Sequence, residues 1–235
     1  MENTGASPRF LARMVVVGYL LLLISGFDLF FVLPRLLVHG DAAATAAAIQ
    51  AHQGLFLVGF ASALLGVAAY LMITTLLYRL LEPVSRTVSL SAALFSLTGC
   101  IVQAVGVVFH YLPLLVLEDQ PYLRAFQPEQ RQALAMVFLR AYGQAYNISL
   151  VFFAFYLVQI GYLVLRSTFL PRWLGFVLLL GGGGLVFLYP PLAQALLPTI
   201  MLSSIGELLL MLWLGFKGVD ERRWRARAAE ARLPD

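Results

Sequence analysis

The chain reads as an all-α protein, a polytopic membrane bundle of six transmembrane helices with both termini in the cytoplasm. Three observations predict this. Of 235 residues, 61% are hydrophobic and 12% charged, with mean hydropathy +0.86; soluble domains carry roughly 45–50% apolar and about 25% charged residues. A soluble chain needs more polar surface to face water, so lipid is the solvent here. The apolar residues also fall in six runs, each near the ~20 residues a helix needs to cross the hydrocarbon core. The alternating segments of about 10 residues that build a membrane barrel are absent. Finally, the 16 Lys and Arg residues are shared unevenly between the two sides.

The first run, 14–32, follows Arg9 and Arg13 and continues through Asp28-Leu29-Phe30-Phe31 without a small-residue cleavage site. It therefore reads as an uncleaved first helix and not as a signal peptide. In the next loop Gly40-Asp41 precedes a run of alanines, the strongest helix formers, and Asp41 is a good N-cap. A short outer helix is expected near 41–52. The second and third runs, 55–77 and 88–117, are joined by the short Tyr78–Pro83 turn. The fourth, 136–165, follows the outer loop 118–127 and Pro128, which suits a first helical turn. A turn through Pro171-Arg172 leads to the fifth and shortest run, 173–189. Its Gly181-Gly182-Gly183-Gly184 allows close helix approach or a local break, and Pro190-Pro191 ends it. The sixth run, 199–216, completes a transmembrane domain over 1–216.

With the N-terminus inside, the cytoplasmic segments hold Arg9, Arg13, Arg79, Arg86, Arg166, Arg172, Lys217 and five tail arginines. Only Arg35, Arg124, Arg131 and Arg140 remain outside. This is the positive-inside pattern. In the basic cytoplasmic tail, 217–235, Trp224 stands among Arg222, Arg223, Arg225 and Arg227. That composition suits a helix on an anionic inner leaflet, or a plain topology signal with a frayed end. The formal net charge of +4 follows from the same bias, so nucleic acid is set aside as a partner and membrane lipids are expected. Cys100 is the single cysteine and lies in a span, where it packs as a small apolar residue. No cofactor is expected.

Chemistry must come from polar groups inside the spans. Glu207 is the most conspicuous, since an acid at the centre of a span costs roughly 2.5–3.5 kcal/mol by insertion scales. Counting ~1.5 Å per residue from the basic flanks puts Glu207 at ~15 Å, the midplane, and Asp28 at ~22 Å. Gln103 and Asn147 come out at ~26 and ~28 Å by the same rise, with His110 and Arg140 above ~30 Å at the outer interface. Arg140, Gln144 and Asn147 are spaced i, i+4, i+7 and form one stripe, accompanied by Tyr142 and Tyr146.

The first reading joins Asp28, Gln103, His110, Arg140, Gln144, Asn147 and Glu207 in an outward-facing polar pocket that binds a small molecule or lipid headgroup. The second is a proton-coupled transporter or channel using Glu207 and Asp28. It needs a polar path to the inner face, where Gln159 is the one evident candidate below Glu207. The third is a membrane-embedded, metal-dependent enzyme, but His39, His52 and His110 match no compact ligand spacing. Beside all three stands a plain structural role, in which a hydrogen-bonded Glu207 ties helices together.

Several stretches resemble the bacterial domain-of-unknown-function family 4386. They are Gly40-Asp41-Ala42-Ala43-Ala44-Thr45-Ala46, Leu77-Tyr78-Arg79-Leu80-Leu81-Glu82-Pro83-Val84, Tyr142-Gly143-Gln144-Ala145-Tyr146-Asn147-Ile148-Ser149-Leu150-Val151-Phe152-Phe153, Phe169-Leu170-Pro171-Arg172 and Gly206-Glu207-Leu208. Family members often carry a histidine near the position of Arg140, and Arg140-Ala141-Tyr142 departs from that. The resemblance implies a six-helix bacterial inner-membrane protein without an assigned activity. It marks Asn147 and Glu207 as positions to watch.

Overall fold

The computed structural model describes residues 7–183 and 197–231. Among them the regular structure is entirely helical. Helix α1 runs over Pro8–Leu36, α2 over Ala42–Ala51, α3 over Gln53–Leu81, α4 over Arg86–Leu117 and α5 over Pro128–Arg166. Helices α6, Arg172–Leu179, α7, Leu197–Phe216, and α8, Glu221–Glu230, follow. Four of them, α1, α3, α4 and α5, span 29, 29, 32 and 39 residues and are long and apolar enough to cross a membrane. Large side chains such as Ile24, Phe30, Leu94 and Val108 stand exposed on them. Apolar patches of that kind need a non-aqueous neighbour. The protein is a multi-pass membrane protein built as a helical bundle. Residues 184–196, which hold the end of the fifth run and its terminating prolines, lie outside the described residues.

Local chemistry sets the helix ends. Asp41 Oδ1 accepts from Ala44 N at 2.8 Å and caps α2, as its position before the alanines predicts. Pro128 opens α5, where its missing N–H costs nothing. Gly218, at φ +70°, ends α7 in the left-handed conformation. Its N–H bonds the Trp213 carbonyl at 3.0 Å. Within α1 the backbone widens to a π-helical turn over Asp28–Val32, with Leu33 N–H donating to Asp28 O.

The chain forms two compact units. One comprises the described parts of Met1–Leu20, Ala69–Cys100 and Ile148–Asp235. Here small residues let backbones approach closely. A Cβ on Gly161 would meet the Gly175 carbonyl at 2.9 Å, and one on Gly99 would meet the Phe153 ring at 2.8 Å. Gly181 sits against Leu157 where the backbone tightens to a 3-10 turn, so the described glycines of the run combine close packing with a local change of helix. Cys100 is buried. The tail helix α8 is held rather than frayed. Trp224 Nε1 donates to Leu80 O at 2.8 Å, Arg223 Nη1 to Thr168 O at 3.2 Å, and Arg9 pairs with Glu221 at 3.4 Å.

The other unit comprises Leu21–Ala68 and Ile101–Asn147. Its core gathers Val32, Leu36, Ile49, Phe56, Leu114 and Leu139. The short helix α2 contributes Ile49, and Gln50 Nε2 bonds the Leu117 carbonyl at 3.1 Å. Thr45 Oγ1 closes the preceding loop by accepting from Val38 N at 3.0 Å.

Candidate functional site

The π-helical turn of α1 carries Asp28, which is 1% exposed. Such a turn inserts an extra residue and re-aims the side chains around it. Asp28 Oδ1 lies 3.1 Å from His110 Nε2, and Oδ2 accepts from Tyr142 Oη at 3.0 Å. Three helices, α1, α4 and α5, thereby share one carboxylate. The space for it comes from α3. A Cβ on Gly59 would collide with Asp28 Oδ1 and meet Val32 Cγ1 at 3.0 Å.

Aromatic rings fix the imidazole. Phe56 stacks on it with centroids 4.5 Å apart, and Tyr142 meets it edge-on at 4.9 Å. His110 is fully buried, and its Nδ1 has no hydrogen-bond partner among the described residues. A histidine oriented by a carboxylate through one nitrogen offers the other to a proton, a ligand or a metal. Among the described residues no three His, Cys, Asp or Glu side chains come together as metal ligands.

The depth count sets Asp28 at ~22 Å and His110 above ~30 Å, whereas the structure brings the two side chains into contact. The error lies in the reference level: Arg13 is already inside α1, which begins at Pro8. From Pro8 the rise to Asp28 is ~30 Å, not ~22 Å, which removes most of the apparent separation.

Glu207 has its own partners in the other unit. Its Oε1 accepts from Tyr70 Oη at 2.8 Å and from Tyr19 Oη at 3.2 Å. Tyr70 packs on Phe153 and edge-on to Tyr156, with centroids 4.3 and 6.0 Å away. The buried Tyr156 hydroxyl forms no hydrogen bond among the described residues. One helical turn from Tyr70, Thr74 Oγ1 and Ser96 Oγ stand 2.6 Å apart, and both are buried.

Of the seven residues picked from sequence, the structure bonds Asp28 to His110 and Asn147 Nδ2 to Gln144 Oε1, at 3.0 Å. Arg140 and Gln144 are exposed and Gln103 is half-buried. Gln103 makes no hydrogen bond to Asp28, His110 or Tyr142. Tyr142, noted only as a companion of the stripe, proves to be a direct partner of Asp28. Tyr19, Tyr70, Thr74 and Ser96 were not singled out. Their signal was the i, i+4 spacing of Tyr70 and Thr74 below a deep acid.

Residues 14–218 match the family described as Domain of unknown function (DUF4386). The chain belongs to the DUF4386 family. No curated protein and no solved structure matches it. Both polar clusters fall inside the DUF4386 match, whereas α8 lies beyond it.

Proposed function

We propose that this DUF4386 protein is a six-span protein of the bacterial inner membrane with both termini in the cytoplasm. On this reading an outward-facing polar site around Asp28, His110 and Tyr142 binds a small molecule or a lipid headgroup. The orientation rests on the arginine distribution, and on this reading the fifth span begins with α6 and the sixth is α7. The observation that carries the binding reading is the buried carboxylate of Asp28, shared by His110 and Tyr142 at a π-helical turn. A fully buried acid in a spanning helix is costly, and such groups mark functional positions.

Arg140, Gln144 and Asn147 lie on the same helix as Tyr142 and are at least partly accessible. They supply a donor-rich entrance, and a guanidinium there pairs well with a phosphate or carboxylate. The apolar walls from Phe56 and Phe60 fit the usual make-up of a ligand site, with a few polar groups in an apolar frame. No reaction is required by this geometry.

The test is native mass spectrometry of the protein extracted in mild detergent, comparing wild type with Asp28→Asn, His110→Gln and Arg140→Gln. A retained lipid or metabolite that is lost in all three variants supports the reading. Identical retention in every variant, with each folded by circular dichroism, would overturn it.

A further inference from the structure

The basic tail helix α8 is fixed to one end of its unit by three bonds. Trp224 Nε1 reaches Leu80 O in the last turn of α3, Arg223 Nη1 reaches Thr168 O, and Asp220 N donates to Phe169 O at 3.4 Å. Thr168 and Phe169 lie in the turn between α5 and α6, and Arg9, which pairs with Glu221, stands in the first turn of α1. None of the residues of α8 is buried. The helix is therefore held by polar bonds and not by an apolar face.

Arg222 and Arg225 are three residues apart and share one face of α8. With Arg9, Val219, Asp220 and Glu221 they line an open cleft of about 620 Å³. Both acids of this cleft are already engaged. Asp220 Oδ1 accepts from Arg223 N at 3.1 Å and caps α8, and its Oδ2 pairs with Arg223 Nε at 3.3 Å. Glu221 divides its two oxygens between Arg9 Nε at 3.4 Å and Arg225 Nη2 at 3.6 Å. One carboxylate thus holds guanidinium groups from two helices at one opening, and each keeps further N–H donors. Arg222 makes no ion pair or hydrogen bond among the described residues.

Three guanidinium groups against the one carboxylate of Glu221 leave the cleft electropositive. Arg9 and Arg225 are 69% and 68% exposed, so their pairs with Glu221 are weak and yield to a better acceptor. Phosphate is such an acceptor, since it takes guanidinium N–H bonds in pairs. The level of the cleft says where the phosphate comes from. Arg9 opens a helix long and apolar enough to cross a membrane, its neighbour Phe10 is exposed, and Phe216 at the end of α7 is 84% exposed. Exposed aromatic rings beside basic residues mark the boundary between hydrocarbon and headgroups.

We propose that the cleft between α1 and α8 binds the headgroup of an anionic phospholipid, with Arg9, Arg222 and Arg225 holding the phosphate oxygens. The excess of positive charge favours a headgroup with two phosphates over one with a single phosphate. This site is separate from the one around Asp28 and does not depend on it.

The experiment is a native mass-spectrometry titration of the full-length protein in mild detergent with cardiolipin, phosphatidylglycerol and phosphatidylcholine. Soluble glycerol phosphate is titrated in parallel. Cardiolipin should bind tightest and phosphatidylcholine weakest. An arginine near an anionic headgroup contributes about fivefold to binding, so Arg222→Gln should weaken cardiolipin by about that factor. The triple substitution Arg9→Gln, Arg222→Gln and Arg225→Gln should abolish the preference for cardiolipin. Removing the same charge elsewhere, by Arg86→Gln, Arg166→Gln and Arg172→Gln together, should preserve it. Wild-type binding in the cleft variants would overturn the proposal, as would an equal loss in the control, which would reveal a diffuse field instead of a site. Glycerol phosphate binding as tightly as cardiolipin would make a soluble phosphoester the ligand and overturn the lipid assignment. If the triple variant does not fold, Arg222→Gln decides alone, because Arg222 has no partner to lose.

Discussion

Trp224 Nε1 donates a 2.8 Å hydrogen bond to the carbonyl of Leu80, joining residues 144 positions apart. Leu80 lies in the last turn of α3, where carbonyl groups have no partner within the helix. The tail thus satisfies an acceptor that the span alone leaves open. Trp224→Phe keeps most of the ring area and removes this donor. It should cost about 1–3 kcal/mol, read as a lower Tm in detergent, whereas Arg222→Gln on the same helix should leave Tm unchanged.

Asp28 binds two partners at once, so its replacement leaves His110 and Tyr142 with unmet polar atoms. Each buried polar atom left without its partner typically costs about 1–3 kcal/mol. Asp28→Ala is therefore expected to destabilise more than His110→Phe, which leaves Tyr142 bonded. A double-mutant cycle of the two substitutions should give a coupling energy well outside error; additive effects would mean the 3.1 Å contact contributes little.

The two glycines Gly59 and Gly143 make a paired prediction. A Cβ on Gly59 runs into Asp28 Oδ1, while one on Gly143 meets nothing within 4 Å. Gly59→Ala should lose about 1–3 kcal/mol through overpacking and displace the Asp28 carboxylate. Gly143→Ala should be neutral or stabilising by up to about 1 kcal/mol. Thermal melts of the two variants side by side decide it.

Glu207 accepts both tyrosine hydroxyls through one oxygen. Glutamine retains that carbonyl oxygen, so Glu207→Gln should fold with close to wild-type stability. Glu207→Leu strands the Tyr19 and Tyr70 hydroxyls and should cost about 1–3 kcal/mol per unpaired group. Equal melting of the two variants would show that the hydroxyls find other partners.

The sequence made the helical class readable because bilayer thickness imposes a length that hydropathy records directly. The Asp41 cap and the Pro128 start were readable for a similar reason, being set by neighbours within one turn. The Asp28–His110 bond was not. It depends on how α1 and α4 are levelled against each other, and an arginine inside α1 is a poor ruler for that. The partners of Glu207 were hidden differently. Serine and threonine occur throughout spanning helices because they bond back to the preceding turn, as Thr74 does to the Tyr70 carbonyl at 2.8 Å. Their residue types carry no mark of a second role.

The burial of Cys100 has a practical consequence. As the chain's single thiol it is shielded from water-soluble maleimides, which react with accessible thiolates. A cysteine placed in the 118–127 loop or at the end of the tail would then be the only one labelled. Reagents added to intact or broken cells could report which side each segment faces, with Cys100 and its packing left in place.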